Sequence, residues 1–293
     1  QGGAITHFVD SIYKADGIKF ISNYHEQASA FAAEGYARVS GNIGVCTATS
    51  GPGATNLITG IGSAYFDSIP CLYVTGQVNT YEYKWSIEIR QEGFQETDIV
   101  SIIKPITKYA VMIISPEKIK YYLEKAFYIA KEGRPGPVLL DIPMNVQRSE
   151  INPGELIGFY ESEEYKSEIK KRVNIEDVSR LIDLIKKSER PVILAGGGIR
   201  LAKADEYLEK LIEITGIPVV STLMGIDSVN HEHKCFVGYM GAYGTRYSNL
   251  TVANCDLLIV LGSRLTTRQT SSITDSFARE AKIVHVDIDR NEL

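Results

Sequence analysis

The sequence predicts an α/β protein made of two doubly wound parallel-sheet domains. Three observations carry that expectation. Short apolar runs alternate with stretches whose apolar residues recur at helical spacing, Gly-rich turns join the two kinds of segment, and residues 147–174 interrupt the pattern with Pro153-Gly154 and repeated Glu and Lys. With 293 residues and 44% apolar content, the chain has the length and material for two cores. The expected domains are 1–146 and 175–293, with 147–174 as a surface linker. A single large sheet is the competing arrangement, and the linker composition argues against it.

Taken in order, residues 18–22 (Ile-Lys-Phe-Ile-Ser) read as a short strand. Ala28, Phe31, Ala32, Gly35, Tyr36 and Val39 then share one small, apolar helix face. Gly41-Asn42 marks a turn and 44–49 a strand. Ser50-Gly51-Pro52-Gly53 breaks that strand before a helix over 54–66, and 70–75 form a buried strand. Ser115-Pro116-Glu117 supplies an N-cap, an N1 proline and an acidic first turn. The helix that follows has its apolar positions at Ile119, Tyr122, Leu123, Ala126, Phe127 and Ala130. Arg134-Pro135-Gly136 turns the chain into an apolar strand over 137–142, and the first domain is expected to close near Pro143. The second half alternates again: helix 175–187, strand 192–195, helix 203–214, and strands 217–221, 257–261 and 283–286.

Composition narrows the function. A net charge of -5, from 31 basic and 36 acidic residues, provides no field for nucleic acid. Cys46, Cys71, Cys235 and Cys255 are scattered, forming neither a CxxC pair nor a dense disulfide framework, which fits reduced thiols in a cytoplasm. No apolar run approaches a membrane span and no leader pattern opens the chain, so neither membrane nor targeting is expected. His231 and His233 have metal-like spacing but lie in a polar stretch without a third ligand; a solvated loop is the expectation, and no metal site is assigned.

Glu26 stands where the first expected strand gives way to a helix, at the sheet edge where ligands gather in open α/β folds. A glutamate in a first helical turn also interacts favourably with the helix dipole and needs no further role. Both readings stand on the residues alone. His25 before it reads as a cap. The segment Ala48-Thr49-Ser50-Gly51-Pro52-Gly53-Ala54-Thr55-Asn56 exposes several backbone N–H groups beside small side chains, permitting close ligand approach. It lacks the lysine of a P-loop, and such turns also arise for geometric reasons alone.

Together, HEQASAFAAEGYAR from residue 25, TATSGPGATNLITGI from 47 and VTGQV from 74 closely resemble the pyrimidine-binding domain of thiamine-diphosphate enzymes, acetolactate synthases most of all. The resemblance continues through GFQETDIV, Pro105-Ile106-Thr107-Lys108 and GRPGPVLLDIP into a Rossmann-like central domain ending VHVDID, and so spans the chain. It implies a 2-oxo acid decarboxylase or carboligase that condenses 2-oxo acids with loss of CO2. In that family a glutamate hydrogen-bonds N1' of the cofactor's aminopyrimidine and promotes deprotonation of the thiazolium. Glu26 matches it. By the same resemblance Gly51, Pro52 and Asn56 surround the pyrimidine, Gly3 lines the site, and Gln95 approaches the reacting centre.

Gly197, Thr222, Met224, Arg264 and Asp287 match positions where acetolactate synthases hold a non-reacting FAD. The glycines at 196–198 do not complete a GxGxxG fingerprint, and the family's Arg-Phe-Asp-Asp-Arg appears as Arg264-Leu265-Thr266-Thr267-Arg268, losing both carboxylates. Residues 79–92, with the only tryptophan, Trp85, form extra sequence beside the family's active site. No Gly-Asp pair occurs, so the magnesium- and diphosphate-binding third domain is expected to be absent here and Mg2+ to be held by it. The chain is read as pyrimidine-binding domain, with a truncated N-terminus, plus central domain. The resemblance further implies a homodimer or homotetramer with the active site shared between subunits. A non-catalytic FAD- or nucleotide-binding module and a specialised thiamine-diphosphate decarboxylase are the alternatives. A nicotinamide dehydrogenase is disfavoured for want of a full fingerprint.

Overall fold

The computed structural model describes residues 1–167 and 174–293. The chain divides into two compact units, Gln1–Ile169 and Lys170–Leu293.

In the first unit the elements run α1 (Thr6–Lys14), α2 (Glu26–Ser40), β1 (Gly44–Ala48), α3 (Pro52–Thr55), α4 (Ile58–Phe66), β2 (Cys71–Gln77), α5 (Ile99–Ile103), β3 (Tyr109–Met112), α6 (Ile119–Lys131), β4 (Val138–Pro143), α7 (Met144–Gln147) and α8 (Glu163–Lys166). The four strands form one parallel sheet in the order β1-β2-β4-β3. Period-2 alternation divides its side chains between two faces. Leu72, Val74, Val138, Leu140 and Ile142 pack with Ala126 and Ala130 of α6. The intervening residues, among them Tyr73, Thr75 and Asp141, are also fully buried, so β2 and β4 are covered on both sides. Helices α2 and α4 meet at Gly60, where a Cβ would stand 2.4 Å from that of Ala30. Only two small residues permit that approach.

Three expectations change here. Residues 18–22 form no strand, and Ile18, Phe20 and Ile21 lie exposed at 58%, 40% and 68%. An alternating pattern becomes a strand only by pairing, and among the described residues no neighbouring backbone pairs with it. The helix expected over 54–66 is two helices, because α3 starts at Pro52 and ends at Thr55 before α4 begins at Ile58. Part of the expected linker is docked structure. Phe159, 1% exposed, lies among the rings of Tyr121, Tyr128 and Tyr165, while Lys120 and Lys125 bind Glu161 and Glu164 at 3.0 and 2.7 Å. Aromatic residues interleaved with charges gave this segment a buried side that no helical or strand period announced. Residues 168–173 of the same stretch lie outside the described residues.

The second unit runs α9 (Ile175–Lys187), β5 (Pro191–Ala195), α10 (Gly198–Leu201), α11 (Asp205–Thr215), β6 (Val219–Ser221), β7 (Phe236–Tyr239), α12 (Arg246–Ala253), β8 (Leu257–Leu261), α13 (Thr267–Thr270) and β9 (Lys282–Val286). Its parallel sheet has the order β7-β6-β5-β8-β9. Val192, Leu194, Leu258 and Val260 join one core; Ile193, Ala195, Leu257 and Ile259 join another with Leu208 and Ile212 of α11. Strand order reverses at β5, so the turns after β5 and β8 face one another, the place where open sheets bind ligands.

Candidate functional site

The site of the first unit is assembled at the ends of α2, β1 and β2. His25 is the N-cap of α2, its Nδ1 accepting from the Gln27 N–H at 3.1 Å. That cap starts the helix at Glu26. Pro52 opens α3 as its first residue and Asn56 closes it, and Asn56 Nδ2 donates to Glu26 Oε2 at 3.0 Å. Two residues thirty positions apart thus meet through their side chains. Burial pushes the Glu26 carboxyl upward, but the Asn56 hydrogen bond and the helix-start backbone outweigh it, so its pKa lies below the ordinary value. Glu26 is half-buried, not sealed from water, and the chain as described holds it ionised.

The turn between β1 and α3 is gripped from both sides. Gly51 adopts φ 62°, and a Cβ there would stand 2.9 Å from Gln95 Cβ. A Cβ on Gly53 would meet Thr49 Cγ2 at 2.6 Å and Glu26 Oε1 at 3.4 Å. Gln95 therefore packs on the turn at Gly51 and Glu26 approaches it at Gly53. Gln95 itself has φ 61°. The first residues join them, since a Cβ on Gly2 would be 2.6 Å from Thr49 and one on Gly76 would be 2.1 Å from the Ala4 carbonyl. Gly3 borders open space.

A buried network beneath this edge was not singled out from the sequence. Asp141 of β4 is fully buried; Thr75 Oγ1 donates to its Oδ1 at 2.7 Å and Gln77 Nε2 to its Oδ2 at 2.9 Å. Burial pushes its carboxyl up to about 7, against the lowering effect of those two donors. The signal was available: one acid interrupts an otherwise apolar strand, Val-Leu-Leu-Asp-Ile-Pro.

Residues 1–102 match the thiamine pyrophosphate enzyme N-terminal TPP binding domain, and residues 178–293 match the central domain of the same enzymes. The chain belongs to the thiamine pyrophosphate enzymes. It is 44% identical over 294 residues to the probable acetolactate synthase large subunit of Methanocaldococcus jannaschii, covering 100% of this chain and 48% of that protein. It is 40% identical to the acetolactate synthase large subunit of Cyanidium caldarium over 300 residues, 100% of this chain and 49% of that protein. The chloroplastic acetolactate synthase of Arabidopsis thaliana is 40% identical over 297 residues, 100% of this chain and 42% of that protein. The chain spans about half the length of the curated relatives it matches.

In the central domain Gly197 and Met224 come together, a Cβ on Gly197 standing 2.9 Å from the Met224 carbonyl. Thr222 caps its own turn by accepting from the Gly225 N–H at 3.2 Å. A Cβ on Gly196 would meet the Gly262 carbonyl at 2.2 Å. These glycines are required by backbone packing on backbone. Asp287 Oδ1 accepts from the Asp289 N–H at 2.9 Å, a local turn. Among the described residues, no hydrogen bond or ion pair joins Arg264 or Asp287 to the glycine turns. Arg268 instead donates to Tyr243 Oη at 2.7 Å. His231 stacks on Phe236 and contacts the Ile226 carbonyl, while His233 Nδ1 accepts from the Cys235 N–H. Among the described residues no group of three or more His, Cys, Asp and Glu is arranged to hold a metal ion, and no helix is long and apolar enough to cross a membrane.

Proposed function

We propose that the protein containing this chain is a thiamine-diphosphate-dependent 2-oxo acid decarboxylase and carboligase, acting as an acetolactate synthase on small 2-oxo acids. The observation that carries the reading is the Glu26 carboxylate held by Asn56 beside Gly53, with Gln95 packed on Gly51 of the same turn. An oriented carboxylate beside a turn lacking side chains suits a flat, nitrogen-containing ring that needs one acid–base partner. The high identity to acetolactate synthases along the whole chain supports the substrate class.

When bound, the cofactor's thiazolium supplies the electron sink that stabilises the carbon left by loss of CO2. The chain's own residues do the rest. Glu26 Oε1, on the Gly53 side, is the oxygen placed to exchange a proton with a ring nitrogen, while Asn56 holds Oε2. Gly51 and Gly53 let Gln95 and Thr49 pack directly on the turn next to that carboxylate, and Gly3 borders open space. Gln95 supplies an amide at the edge where the 2-oxo acid would lie. We assign Mg2+ and the diphosphate to a domain outside this chain, a homodimer or homotetramer as the working assembly, and a reducing compartment such as the cytoplasm, which four free cysteines support. FAD has no comparable support. The central-domain glycines are accounted for by packing, so no step is routed through it.

The full-length protein is assayed with thiamine diphosphate and Mg2+ on several 2-oxo acids, with product identification. Acetolactate from pyruvate is the expected result; CO2 release without carbon–carbon bond formation points to a simple decarboxylase, and no 2-oxo acid turnover removes the proposal. Glu26→Gln should lower turnover by roughly 10²- to 10⁴-fold with the fold retained. Full activity in that variant would remove Glu26 from the mechanism.

A further inference from the structure

The strand β4 spends a buried acid where its other residues are apolar, and an uncharged side chain would be far less costly to place there. What the acid holds is specific. Gln77 gives one N–H to Asp141 Oδ2 at 2.9 Å and one to the Thr97 carbonyl at 2.7 Å, while its Oε1 accepts from the Val78 N–H at 3.1 Å. Both donors and the acceptor of that amide are engaged, so its orientation is dictated by its partners.

Thr97 ends a loop that is tied again from its other side. Glu96, 6% exposed, accepts through Oε2 from the N–H groups of Glu92 at 2.8 Å and Gly93 at 3.3 Å. Beside these two anchors stands Gln95 in a left-handed conformation, its Cβ placed over Gly51. A non-glycine residue holds that conformation because its surroundings impose it. Thr75, on the neighbouring strand in register with Asp141, fixes the other carboxyl oxygen at 2.7 Å, so the acid cannot turn away from Gln77.

We propose that Asp141 is a positioning residue: acting through Gln77, it fixes Thr97 and thereby the placement of Gln95 against the Gly51 turn. The assignment rests on the proposed function only in giving Gln95 a place beside the substrate. Asp141 touches neither substrate nor cofactor. Its contribution is directional, two acceptor oxygens in one rigid plane at the base of the loop.

The test uses the full-length protein and two readouts, backbone hydrogen exchange over residues 93–98 and steady-state kinetics with pyruvate. Gln77→Leu keeps side-chain bulk but removes the bridge; it should speed exchange across the loop about tenfold while leaving β2 and β4 protected. A misplaced group can cost on the order of 10²-fold, so kcat should fall by roughly 10- to 100-fold with the affinity for thiamine diphosphate little changed. Asp141→Asn still offers Gln77 an acceptor and Thr75 a donor, and should restore loop protection that Asp141→Leu loses. In a Gln95→Ala background, adding Gln77→Leu should cost less than about twofold, because the two act as one unit. Unchanged exchange over 93–98 in Gln77→Leu, or losses that multiply in the double variant, would overturn the proposal. If the parent protein turns over no 2-oxo acid, the functional reading fails by itself, and the exchange measurement still decides the positioning role.

Discussion

Replacing Asp141 by Asn should make the protein more stable at neutral pH and leave it nearly unchanged in mild acid. Burial raises this carboxyl from 3.8 to about 7 despite donors from Thr75 and Gln77, with nearby Asp98 adding to the rise. Because the folded pKa lies above the unfolded one, the folded state binds the proton more tightly. Stability from this group is therefore full below about pH 4, declines as pH rises through the window to about 7, and stays reduced above it. At about 1.4 kcal/mol per pKa unit, the reduction is of the order of 4 kcal/mol. Asparagine never ionises, though its bonds to Gln77 and Thr75 are weaker than those of the carboxyl, by about 1–2 kcal/mol in all. The net gain for Asp141→Asn should be about 2–3 kcal/mol above pH 7. Trp85 is the chain's one tryptophan and lies in the first unit, so its fluorescence reports the relevant transition. Urea midpoints of parent and variant at pH 5, 6, 7 and 8 supply the comparison. A difference that is flat across that range, or a variant that loses ground as pH rises, would refute the argument that burial of a charge dominates here.

Asn56→Ala removes the side-chain donor that helps hold the Glu26 carboxyl below its ordinary value, so the Glu26 pKa should rise; carbon-detected NMR titration of the labelled carboxyl measures it, and no movement would exclude the hydrogen bond as a cause. Phe159→Ala empties the centre of an aromatic cluster and should destabilise the first unit by about 3–5 kcal/mol in the same urea assay, whereas a true surface linker would tolerate the change within about 0.5 kcal/mol. Burial pushes the Cys46 and Cys71 thiols up to about 12 and Cys255 up to about 11, while Cys235 is only half-buried. A thiol reagent should therefore label one cysteine quickly in the native protein and all four after denaturation.

Elements with long or uninterrupted patterns were legible from the sequence alone. The helix over 175–187 and the strand over 257–261 were read to their observed ends, because thirteen residues of helical spacing and a five-residue apolar run admit few other structures. Short edge strands were not. Tyr109–Met112 lies in an apolar run from Tyr109 to Ile114 that leads straight into the cap of the next helix, and Phe236–Tyr239 has four residues broken by a glycine; each is short and pairs on one side only. The converse error occurred at residues 18–22, where the alternation is present but no partner strand accepts it. Local pattern reports a preference for strand; pairing is decided elsewhere in the chain.

For the site, proximity was legible through motifs and mechanism was not. Motifs group Glu26, the Gly51 turn and Asn56, whereas Asp141 is a single letter in an apolar strand. Nor does position alone decide between the two roles open to Glu26. A glutamate serving only the helix dipole needs no partner beyond its own helix. Here the carboxylate is bound by Asn56, the cap that closes a separate helix, and its other oxygen lies toward Gly53, which carries no side chain. The dipole and the Asn56 bond act in the same direction, each favouring the ionised form. They differ in what they fix: the dipole lowers an energy, while the bond sets which oxygen is held and which is available. A proton carrier requires that second property, and this is why the Asn56 contact, more than the placement of Glu26 at a helix start, supports the catalytic reading.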